Sequence, residues 1–177
     1  FLSGIIGSQF SPVKSLATLP MALSIVGVAI FAIFAAKVMS IIGRRAGFMF
    51  ASVGSSLSSL LAAYSIISES FILFNFACFL LGAGVAFSHQ YRFAAVETVK
   101  KDMAPKAISI ILLAGIGSAF IGPNAANLSK EIISGHLYAG SYIVLAALTL
   151  TSTIFLMFYK DRHKPNNINK KTSRSYL

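Results

Sequence analysis

The chain has 177 residues, of which 56% are hydrophobic and only 11% charged, with a net charge of +10. A soluble domain carries about a quarter charged residues, so this composition excludes an ordinary water-soluble enzyme and predicts an all-α, polytopic membrane helix bundle. The single cysteine, Cys78, excludes an intrachain disulfide and a cysteine-based zinc site; with three histidines far apart in sequence, no metal or other cofactor is expected.

Five full spans and part of another are predicted. Residues 1–10 read as the end of a helix whose start is missing, followed by a short loop from Ser11 to Lys14. The second span covers about 16–42, with Pro20 near its start and Lys37 in its last turns, where a long side chain reaches the headgroups. A tight basic loop, Gly43-Arg44-Arg45-Ala46-Gly47, leads into a third span over 48–67. That span is rich in small residues, among them Ser52, Gly54, Ser55, Ser56, Ser58 and Ser59, which let helices approach closely in lipid.

After a turn at Ser68-Glu69-Ser70, the fourth span covers 71–99. Lys100, Lys101, Asp102 and Pro105 mark the next loop and helix start. The fifth span, 106–133, is expected to be interrupted at Gly122-Pro123-Asn124. A turn at Ser134-Gly135-His136 precedes the sixth span, 137–159, and residues 160–177 read as a polar, basic, disordered tail or linker. Each full span nears or exceeds the roughly 20 residues that cross about 30 Å of hydrocarbon.

Charge sets the orientation. Arg44, Arg45, Lys100, Lys101 and Lys106 fall in one set of loops, with Lys160, Arg162, Lys164, Lys170, Lys171 and Arg174 in the tail; the alternate loops hold Lys14 and Lys130. The positive-inside rule makes the first set and the tail cytoplasmic. The basic charge is thereby a topology signal, the lipid bilayer is the expected partner, and nucleic acid is not.

Three stretches resemble the major facilitator superfamily (MFS). The run from Ala36 to Arg45 is similar to the family's loop signature at Gly43, Arg44 and Arg45. Ser40 stands where its aspartate is expected, so the charge-relay role of that aspartate does not carry over. Gly115 to Asn124 resembles the family's glycine-rich, Gly-Pro-containing fifth helix. The third stretch, Gln90-Tyr91-Arg92-Phe93-Ala94-Ala95-Val96-Glu97, is similar to a bacterial subset of the family, although Cys78 lies about where the fourth span often has an arginine. The resemblance implies most of the amino-terminal six-helix half of a twelve-helix transporter in a bacterial inner membrane. It also implies a small-molecule substrate, possible proton coupling and a second six-helix half as partner.

Candidate site residues follow from cost. An arginine inside a span costs a few kcal/mol, so Arg92 is expected to face a cavity or a partner. His89, three residues earlier, shares its face and can titrate near neutral pH. His89, Gln90, Arg92 and Asn124 are therefore expected to contact substrate or coupling proton. The alternative reading of Arg92 is a structural or snorkelling arginine. Glu97 is expected to latch onto Arg44 or Arg45 beside Gly43 as a gate, an expectation resting on the resemblance. Gly122 and Pro123 are expected to hinge, because proline removes a backbone donor. Enzyme signatures are absent: no nucleophile elbow, zinc motif or phosphate loop occurs. The rival to a transporter is a non-transport helical membrane subunit used in assembly or anchoring.

Overall fold

The computed structural model describes residues 2–11 and 13–158; the side chains of 97, 98 and 101 lie outside that description. The described residues form seven α-helices and two short 3-10 turns: α1 (Leu2–Phe10), α2 (Leu19–Ile42), α3 (Arg44–Ile67), α4 (Phe71–Ser88), α5 (Tyr91–Thr98), α6 (Ala104–Ser129) and α7 (Ala139–Phe158). Five stretches, Lys14–Ile42, Arg44–Ile67, Phe71–Val96, Ala104–Ser129 and Ala139–Phe158, are long and apolar enough to cross a membrane. The expected tail, 160–177, lies outside the described residues.

Four local differences from the sequence reading have physical causes. The expected loop from Gly43 to Gly47 is a single residue. Gly43 sits at φ 85, ψ 159, a conformation closed to side chains with a Cβ, and it reverses the chain alone. Arg44 and Arg45 then occupy the first turn of α3, and the Gly47 N–H already donates to the Gly43 carbonyl at 3.1 Å.

The fourth span, expected to be continuous over 71–99, carries a tightened turn at His89 and Gln90 that divides α4 from α5. The Gln90 N–H donates to the Phe87 carbonyl, three residues back, at 3.0 Å. The Ser88 hydroxyl donates to the Gly84 carbonyl at 3.0 Å, a back-bond that bends helices. Tyr91 stacks on Phe48 of α3 with ring centres 4.4 Å apart, which holds the displaced segment in place.

Conversely, the expected interruption at Gly122-Pro123-Asn124 does not occur, and α6 runs through it. Pro123 forfeits its bond to the preceding turn, while the Asn124 amide nitrogen donates to the Phe120 carbonyl at 2.8 Å and secures the same turn. Finally, α6 stops at Ser129 rather than near 133. Its hydroxyl folds back on the Ala125 carbonyl, and the chain turns through Gly135 (φ 87) and Tyr138 (φ 70) before α7.

Packing centres on α2 with α4 and on α3 with both α4 and α7. One buried cluster joins Ile6, Ala62, Ile66, Phe74, Ala77, Cys78 and Tyr142, with Phe74 and Tyr142 edge-to-face. A second joins Ala35, Met39, Phe48, Phe87 and Ala94 near Arg44 and Arg45. Large apolar side chains such as Ile33, Phe50, Ile72 and Phe155 are turned outward. That is the arrangement expected where the surrounding solvent is lipid and helices need not hide their apolar faces.

Candidate functional site

Three of the polar residues singled out above, His89, Gln90 and Arg92, fall at one place in the chain. His89 caps the end of α4, Gln90 completes the tightened turn, and Arg92 lies in the first turn of α5. His89 and Arg92 are exposed and Gln90 is half-buried. Arg92 is on the opposite side of α5 from Ala94, which packs into the second core cluster, whereas Gln90 lies one turn before Ala94 on the same side. Arg92 forms no ion pair with another described residue. The turn therefore presents an imidazole and a guanidinium on the open side of the fourth span, about 27 Å along it from Phe71 at 1.5 Å per residue.

Asn124 is not part of this group. It is exposed on α6, and its amide is spent on the Phe120 carbonyl. Gly43 forms the α2–α3 connection with Arg44 and Arg45 in the first turn of α3, and the Arg45 guanidinium donates to the Met157 carbonyl in the last turn of α7. Glu97 belongs to α5 by its backbone. Its side chain, and so the expected pairing with Arg44 or Arg45, lies outside the described residues.

A cavity of about 600 Å³ opens among α1, α2, α3, α4, α6 and α7. Of the expected site residues, Gly122 and Pro123 line it, while His89, Gln90, Arg92 and Asn124 do not. Its polar lining comes from Ser3, Ser24, Ser55, Ser59, Cys78, Tyr142 and Thr149. Several of those groups are already engaged. Ser24 donates to the Met21 carbonyl at 2.8 Å, Ser59 to the Ser55 carbonyl at 2.8 Å, and Thr149 to the Ala146 carbonyl at 2.9 Å. Cys78 and Tyr142 are buried together in the first core cluster beside the cavity. The cavity is thus mainly apolar, with hydroxyl oxygens able to accept a further bond. Sequence reading assigned Ser55 and Ser59 to packing and gave Ser24, Tyr142 and Thr149 no role. The lining is drawn from six helices, so no local spacing marks it. Among the described residues no cluster of histidine, cysteine, aspartate or glutamate could hold a metal ion.

The sequence profile of the Major Facilitator Superfamily matches residues 1–175. A riboflavin transporter of Brucella anthropi is 31% identical over 171 residues, covering 95% of this chain and 43% of that protein. An uncharacterized MFS-type transporter of Bacillus subtilis is 28% identical over 169 residues, covering 90% of this chain and 38% of that protein. A second one from the same organism is 26% identical over 149 residues, covering 82% and 34%. The chain therefore spans less than half the length of these relatives. No solved structure matches. A profile match along nearly the whole sequence, on a bundle of apolar helices, establishes that the chain belongs to the major facilitator superfamily, a family of membrane transporters rather than enzymes.

Proposed function

We propose that the chain is most of one six-helix half of a secondary active transporter that moves a small solute by alternating access, with ion or proton coupling. The observation that carries this reading is the tightened turn in the fourth span. It supports the reading by leaving His89 and Arg92, three residues apart, exposed within the apolar fourth span, where a charge is functional by default. In this reading His89, Gln90 and Arg92 meet substrate or coupling proton, and Asn124 adds a polar group on α6. Glu97 closes against Arg44 and Arg45 as a latch next to Gly43. Gly122 and Pro123 let α6 flex along the cavity wall.

The basic end, with Lys37, Arg44, Arg45, Lys100 and Lys106, faces the cytoplasm of a bacterial inner membrane by the positive-inside rule. A second six-helix half completes the pathway. The relative named for riboflavin makes a flavin the first solute to test.

The test is uptake of labelled riboflavin by the full-length protein in proteoliposomes under an imposed proton gradient. Arg92→Ala is expected to lower uptake about tenfold or more, as for loss of a charge-assisted contact. Undiminished uptake in Arg92→Ala would remove Arg92 from the site and favour a snorkelling role. The 177-residue chain alone is expected to give no uptake; unaided uptake would overturn the half-transporter reading. A full-length protein that moves no solute in a broad panel would favour the rival, a non-transport membrane subunit.

A further inference from the structure

We propose that α3 and α7 form one rigid arm, and that Arg45 is the positioning residue that fixes the α2–α3 turn to the end of α7. The assignment begins with register. On α3, Arg45, Ser52 and Ser56 are separated by seven and four residues, so they share one face of the helix. On α7, Ala146, Thr149, Thr153 and Met157 recur at three and four residues and likewise share one face.

The two faces are joined at successive levels. Ser56 Oγ donates to the Ala146 carbonyl at 3.1 Å. Ser52 Oγ donates to the Thr149 carbonyl at 2.5 Å, and Thr153 Oγ1 donates to Ser52 Oγ at 2.8 Å. The Arg45 guanidinium donates to the Met157 carbonyl. Low residue numbers on α3 meet high ones on α7 throughout, as antiparallel helices require.

Backbone acceptors make this seam unlike ordinary packing. Apolar surfaces can slide a fraction of a turn and find new neighbours. A hydroxyl bonded to the facing helix ties that helix at one height, and sliding exchanges this link for a back-bond within its own turn that holds nothing across the seam. At the last level the donor is a cation at the carbonyl end of a helix, where the helix dipole favours positive charge. By contrast, among the described residues no hydrogen bond joins α2 to α4, although they pack extensively. The seam couples the turn at Gly43 to the point where the chain leaves the bundle after α7. Movement of one is then movement of the other. This goes beyond the transport reading and does not depend on it, because the measurement below is a distance and not a flux.

The test uses the 177-residue chain in lipid nanodiscs, with Cys78 replaced by alanine and spin labels on cysteines at Ile42 and Phe158, both exposed. Pulsed electron resonance then reports the distance distribution between the α2–α3 turn and the end of α7. The parent is expected to give a narrow distribution, and Arg45→Gln one about twice as broad, as expected when a helix end gains microsecond freedom. Arg45→Lys, which keeps the charge and a donor, is expected to restore most of the sharpness. Thr153→Val, which removes one level from inside the seam, is expected to broaden it less. Lys37→Gln, a nearby exposed charge outside the seam, is expected to change nothing. An Arg45→Gln chain that is fully helical by circular dichroism yet keeps the parent width overturns the proposal. So does equal broadening by Lys37→Gln. Should Arg45→Gln fail to fold, Thr153→Val decides: a distribution broader than the parent's, with Arg45→Lys close to the parent, supports the seam, and a Thr153→Val chain as sharp as the parent overturns it.

Discussion

Glycine serves opposite ends in the α2–α4 pair and in α6. Where α2 crosses α4, Gly27 and Gly82 face each other's helices. A Cβ on Gly27 would strike the Phe79 carbonyl, and one on Gly82 the Ser24 carbonyl. The two backbones are as close as they can come because neither residue has a side chain. On α6, Gly115, Ala119, Gly122 and Ala126 also share a face. Yet a Cβ added at Gly115 or Gly122 would meet nothing within 4 Å. Among its described residues α6 fully buries only Ser129, and it touches chiefly α5 and α7. The same residue type thus makes one contact tight and leaves the other loose. In a medium where apolar burial does not drive helix association, close van der Waals approach decides which helices hold together.

That contrast can be broken by substitution, read as thermal unfolding of the 177-residue chain in detergent. Gly82→Leu is expected to cost about 3 kcal/mol or to prevent folding, because the obstacle is backbone that cannot step aside. A tolerated Gly82→Leu would dissolve the α2–α4 crossing as described. Gly140→Leu attacks the attachment of α6, since its Cβ would meet the Ser129 carbonyl and the Ile132 side chain. It is expected to cost about 2 kcal/mol, less than Gly82→Leu because the Ser129 carbonyl and Ile132 belong to the end of α6 and the turn after it rather than to a tight crossing of two long helices. Gly115→Ala is expected to move the other way. With nothing to strike, the gain is helix propensity alone, about 1 kcal/mol. A loss there would mean that the face of α6 is already filled. Ser141→Ala removes the bond to the Ala126 carbonyl, 2.7 Å long, that ties α7 to α6. Its expected cost is about 0.6 kcal/mol, the usual size for a hydrogen bond between membrane helices.

The same contrast explains what could be read from the sequence. The spans were legible because unbroken apolar windows of 20 or more residues have few other uses. The clustering of Arg44, Arg45, Lys100 and Lys106 at one end was legible from charge alone. The tightened turn at His89 and Gln90 was not, because every residue there is compatible with a helix. It arises from Ser88 bonding back to Gly84 and from Tyr91 stacking on a ring 43 positions earlier in the chain. The opposite error occurred at Pro123, where a strong local breaker is absorbed by Asn124 and the helix continues. Of the candidate site, the polar trio on the fourth span was legible as costly residues in an apolar window. The cavity lining was not, since Ser24, Cys78, Tyr142 and their neighbours converge only once the helices are assembled.

Gly43 has a mechanical consequence for the bilayer itself. It is the whole connection between two 24-residue helices. Each is about 36 Å long at 1.5 Å per residue, more than the roughly 30 Å of hydrocarbon it must cross. Helices of excess length ordinarily relieve the mismatch by tilting independently. With one residue between them and no slack to extend, α2 and α3 have their ends level and must lean together. A thinner membrane therefore tips this hairpin as a unit, and a peptide tag or loop inserted after Gly43 would give each helix back its own tilt.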